Sequence, residues 1–82
     1  MPEVFKFGGY SYFYYSREHE PIHIHVEGNG SYAKFDLVNE EFVLKEKHGI
    51  KTGDLKRIHD IITENKDIIK NHWNNFFKTL GK

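Results

Sequence analysis

A chain of 82 residues, 16% of them aromatic, has room for one domain spanning 1–82 and none for a separate cofactor-binding lobe, so dinucleotide-binding enzymes and barrels are excluded. There is no cysteine, which removes disulfide frames and thiolate zinc sites and leaves histidine and carboxylate as the only metal ligands available. The formal net charge is zero, but residues 1–50 carry −3 and residues 51–82 carry +3, so only the C-terminal part offers nucleic acid a basic face, and a solvated mixed-charge helix is its plainer reading.

The start, Met1-Pro2-Glu3, has neither the basic region nor the apolar run of a secretory signal. No apolar stretch approaches the roughly 18 residues of a membrane span. The expectation is a soluble, cytoplasmic protein with no membrane partner. Up to about residue 47 the apolar pattern has period two, which reads as strand. Phe5 and Phe7 alternate with Val4 and Lys6; Gly8-Gly9 then turns the chain, and Tyr10, Tyr12 and Tyr14 alternate with Ser11, Phe13 and Tyr15. Ile22, Ile24 and Val26 alternate with His23, His25 and Glu27, and after Gly28-Asn29-Gly30 the alternation resumes over Ser31 to Leu37.

Asn-Gly between two alternating runs is a strong hairpin signal, because both turn positions need positive φ. With Asn29 and Gly30 as the loop, Gly28 faces Ser31, and the pairs run Glu27 with Tyr32, Val26 with Ala33, His25 with Lys34, Ile24 with Phe35 and His23 with Asp36. One face of this hairpin carries Ile22, Ile24, Val26, Ala33, Phe35 and Leu37 and is expected to be core. The other carries His23, His25, Glu27, Tyr32, Lys34 and Asp36 and is expected to be a polar, ionisable surface. A short last strand over about Glu41 to Glu46 adds Phe42 and Leu44 to the core.

From Thr52 the period lengthens to three and four residues through Leu55, Ile58, Ile62, Ile69, Trp73, Phe76 and Leu80, an amphipathic helix. Thr52 is expected to cap it and Gly81 to end it, with a kink or break in the polar stretch Glu64 to Asp67. The fold class expected is α+β, a small antiparallel sheet of four or five strands packed on a C-terminal helix or helix pair. Where the last turns overhang the sheet, Trp73 and Phe77 would offer a dimer or partner surface.

The histidines His19, His23 and His25 carry the chain's chemical specificity. A His-x-His pair on one strand sets both imidazoles on the same face, roughly 6.5 to 7 Å apart. Three readings compete. The histidines are structural, satisfied by neighbours such as Asp36 and Glu27. Alternatively His19, His23 and His25 hold zinc or another divalent metal, although the fold itself implies no cofactor. In the third reading they perform acid–base work, with Asp36 orienting His23 across the strand and His25 as second proton carrier, an arrangement suited to metal-independent ribonuclease chemistry. His19, Glu27 and Lys34 would then line the binding surface. The aromatic run Tyr10 to Tyr15 could stack nucleobases on whichever alternate set stays exposed.

Several segments together resemble a known family: the aromatic run through Tyr15, Glu18-His19-Glu20-Pro21-Ile22-His23-Ile24-His25-Val26, Ala33-Lys34-Phe35, His48-Gly49-Ile50, and Glu64-Asn65 leading to Trp73-Asn74 and Phe77. This is similar to the bacterial domain of unknown function 4160, over nearly the whole chain. The family motif Glu-His-x-Pro-Pro-His-x-His-Val is matched except that Ile22 replaces the second proline. The resemblance implies a genetic context: members are often encoded beside a second small protein, of the family of unknown function 2442, as in toxin/antitoxin operons. The expected function is therefore an interaction module that binds its operon partner. Homo-oligomerisation and RNA binding are further expectations, and a histidine-dependent ribonuclease is the alternative.

Overall fold

A computed structural model describes residues 3–15 and 21–80, the last two by backbone alone. Among these residues five strands form a single sheet: β1 (Glu3–Phe7), β2 (Tyr10–Phe13), β3 (His23–Gly28), β4 (Ser31–Val38) and β5 (Glu41–His48). They lie in the order β1-β2-β3-β4-β5, and every neighbouring pair is antiparallel. Two helices follow, α1 (Thr52–Glu64) and α2 (Lys66–Leu80). The chain therefore has the α+β architecture its periodicities predict.

The β3–β4 hairpin turns at Asn29 (φ 51°) and Gly30 (φ 71°), and its register pairs His23 with Asp36 and each following pair as the turn dictates. Gly28 matters for a different reason. A Cβ there would press on the Gly9 carbonyl and lie 2.8 Å from a Tyr10 ring carbon, so β3 approaches the β1–β2 turn more closely than any side chain permits.

Helix α1 departs from expectation at its start. Lys51, with extended backbone (φ −69°, ψ 151°), occupies the cap position without a side-chain bond, and Thr52 is already helical. The entry is fixed instead by apolar packing: buried Ile50 just before the cap and Leu55 one turn in both join the core, the arrangement of a hydrophobic staple. The expected interruption falls on Asn65 (φ −110°, ψ 20°). Its N–H reaches the carbonyls of Ile61 and Ile62 at 3.0 and 3.2 Å, and its side-chain Nδ2 donates to Ile61 O at 2.8 Å. The helical path resumes at once, because Ile69 N donates to Asn65 O at 3.0 Å. The terminator expected at Gly81 lies outside the described residues.

The core forms where Ile58, Ile62 and Ile69 of the helices meet Tyr12, Ile24, Val26, Ala33, Phe35 and Phe42 of the sheet. The hydrophobic face of the hairpin is thus the one the helices cover. Its opposite face is not the open polar surface that alternation predicts, for His23 and His25 are each only 4% exposed. Aromatic rings close over them: Tyr15 and Phe13 pack on His25, and Trp73 of α2 packs on His23. Among the described residues no helix is long and apolar enough to cross a membrane.

Candidate functional site

His23 and His25 stand on the same face of β3 with ring centroids 5.1 Å apart and planes at 89°. The His23 Nδ1 lies 2.8 Å from the Pro21 carbonyl, and since a carbonyl only accepts, the proton sits on Nδ1. Cross-strand pairing places Asp36 opposite His23, yet Asp36 Oδ1 is buried with no hydrogen-bond partner among the described residues. The backbone of Pro21 takes the orienting role that the hairpin register predicts for Asp36.

His25 has a side-chain partner instead. Its Nδ1 is 2.8 Å from the Tyr32 hydroxyl, which donates onward to Glu46 Oε1 at 3.4 Å. The Tyr32 hydroxyl thus links the His25 imidazole to the Glu46 carboxylate. The same rings belong to a ladder that crosses four strands on one face. Phe13 stacks on His25 at 5.4 Å, His25 on Tyr32 at 5.9 Å and Tyr32 on His48 at 6.2 Å, with interplanar angles of 30° or less. The sequence does not mark Tyr32 and Glu46 as partners of His25. The hairpin register places Tyr32 one row from His25 and so offers a signal for the first; the β4–β5 register, which brings Glu46 opposite Lys34, has none.

The other expected site residues separate. His19 lies outside the described residues. Glu27 is exposed, facing Ser11 and Tyr32 across the strands, and half-buried Lys34 pairs with His25 and Glu46. Trp73 is 1% exposed and consumed by internal contacts, its ring 4.9 Å from Tyr14, 5.0 Å from His23 and 4.6 Å from Phe77. Trp73 is therefore no overhanging contact surface. Tyr14 rises from the end of β2 to fill the space beneath α2 and hydrogen-bonds His72 Nδ1 at 2.7 Å. Burial pushes the Tyr14 hydroxyl up to about 12. Tyr12 is raised equally, chiefly by burial and secondarily by Tyr10, and its hydroxyl has no hydrogen-bond partner among the described residues. Tyr12, Phe13 and Tyr14 are all buried, so the middle of the aromatic run is core, and the exposed Tyr15 has its ring against Phe13 and His25. Among the described residues no three metal-ligating side chains come together.

A second feature emerges from the sheet order. β1 is an outermost strand, so one of its backbone edges pairs with nothing among the described strands. Beside it runs a largely apolar groove of about 460 Å³ lined by Val4, Phe5, Phe7, Ile61 and Ile68 together with Lys6, Glu64 and Asn65. Phe7 is 55% and Ile68 54% exposed, the two most exposed large apolar side chains described. The other outer strand, β5, presents Lys45, Glu46 and Lys47, charges that blunt an edge.

In comparisons with known proteins, the family model described as Domain of unknown function (DUF4160) matches residues 9–74. No curated protein and no solved structure matches.

Proposed function

We propose that this chain, which belongs to the DUF4160 family, is an interaction module that takes up a strand of a partner protein along β1. The observation that carries the reading is the coincidence of a strand edge that pairs with no described strand and an adjoining apolar groove. Backbone bonding along the edge supplies affinity and the groove selects apolar side chains. The partner we propose is the second small protein implied by the family resemblance, in a toxin/antitoxin-like pair.

Charge also favours binding over cleavage of RNA. On the histidine face the described cross-strand neighbours are Glu27, Asp36 and Glu46 against Lys34, a balance that repels phosphate and offers little to a developing anionic transition state. One observation keeps a second reading, histidine-dependent acid–base chemistry: the His25 imidazole is tied through the Tyr32 hydroxyl to the Glu46 carboxylate.

Titration calorimetry with the neighbour-encoded protein separates the two. Phe7→Glu and Ile68→Glu should each weaken binding at least about 10-fold by placing charge in a desolvated groove, whereas His23→Ala/His25→Ala should leave binding in place. Binding that ignores Phe7 and Ile68, together with RNA decay that requires the histidines, would transfer the function to the histidine face.

A further inference from the structure

We propose that, in the absence of its partner, the protein closes the β1 edge with a second copy of itself, β1 against β1 in antiparallel pairing about a two-fold axis. This rests on the reading of β1 as the docking edge and names a competitor for that edge, so self-association holds the surface closed until the partner displaces it.

An occupant must bring an extended segment with apolar side chains toward the helices and polar ones away. β1 fits that pattern. Phe5 and Phe7 pair with Tyr12 and Tyr10, on the helix-covered side, while Glu3 and Lys6 pair with Phe13 and Ser11 on the other. A two-fold axis perpendicular to the sheet keeps each face in register with itself, so the two apolar layers become continuous and the half-exposed Phe7 rings are covered. Charge agrees with this orientation. Glu3 stands at the start of the strand and Lys6 near its end, so antiparallel pairing carries each copy's acid toward the other's base, while parallel pairing would bring like charges together. β5 offers no equal alternative, because the consecutive exposed charges Lys45, Glu46 and Lys47 make its border polar.

The strand has five residues, so the contact is of the small, reversible class, with a dissociation constant on the order of 10 µM. Sedimentation equilibrium of the untagged full chain, loaded from about 1 to 300 µM to bracket that value, should show conversion from 9.8 kDa to twice that mass. Phe7→Glu should remain monomeric with an unchanged circular dichroism spectrum. Lys6→Glu should weaken the dimer roughly 10-fold, and Glu3→Lys/Lys6→Glu should restore it, a rescue that general misfolding cannot mimic. A wild-type chain that stays monomeric throughout, or a charge reversal that is not rescued, overturns the self-pairing. Monomers whose partner complex is still broken by Phe7→Glu would sink the dimer and leave the docking edge standing. A Phe7-dependent dimer whose partner binding ignores Phe7 would do the reverse.

Discussion

Two tyrosine hydroxyls sit where an anion is costly. Tyr12 and Tyr14 are both 0% exposed and both raised to about 12, against about 10 in an unfolded chain. A raised folded-state pKa means that stability is fully present below pH 10 and is lost as pH climbs toward 12, because the unfolded chain releases those protons first. The loss is on the order of 2 kcal/mol per tyrosine. Denaturant melts across this window should show the wild type falling more steeply than Tyr12→Phe, and equal slopes would contradict the burial assigned to that ring. Gly28 makes a steric demand instead. Gly28→Ala must push the Gly9 carbonyl and the Tyr10 ring aside, which should cost about 1 to 3 kcal/mol in a urea melt. A neutral result would mean that β3 and the β1–β2 turn are farther apart than described. Residue by residue, sequence is informative where geometry is local. The turn dipeptide Asn29-Gly30 alone dictates the pairing of His23 with Asp36, whereas the bond from His23 to Pro21 O and the isolation of Asp36 Oδ1 depend on where the chain comes from as it enters β3.

Among elements, α2 does two things for the sheet. Its Lys66 and Lys70 reach the β4–β5 turn, where Glu40 holds a left-handed backbone (φ 68°): Lys66 Nζ donates to the Glu40 carbonyl at 2.8 Å and Lys70 Nζ to its carboxylate at 2.6 Å. That contact holds the Glu40 carboxyl below its usual range, though both groups lie at the surface, where such pairs are screened and weak. Its Trp73 closes the end of β3 against Tyr14 and His23, so Trp73→Ala should cost about 3 to 5 kcal/mol. Phe7→Glu, at a half-exposed position, should cost far less when both variants are compared in urea melts. Comparable losses would show that Phe7 is core and not docking surface. The helix period reveals α1 and α2 in the sequence because each buries a stripe. It cannot show that Trp73 turns toward the histidine side, since that depends on Tyr14 filling the gap between the end of β2 and the last turns of α2. Nor can alternation reveal the burial of His23 and His25: it marks faces as apolar or polar, and here the polar face is closed by rings distant in sequence.

For the whole molecule, the strand order decides what is left to bind. Among the described residues a meander of five strands makes β1 and β5 the borders, and only β1 joins an open backbone edge to an unfinished apolar layer. No periodicity within β1 carries that information, because Phe5 and Phe7 read the same in a central strand as in an outer one. If the β1 border is where a partner protein binds, its backbone amides must lose access to solvent in the complex. Amide hydrogen exchange of the full chain, held at about 1 µM so that β1 is not self-paired, with and without the proposed partner, reads those amides one segment at a time. New protection is expected in Glu3–Phe7 and around Ile68, with His23–Gly28 unchanged; protection confined to β3 and β4, with none in β1, would contradict docking at this edge.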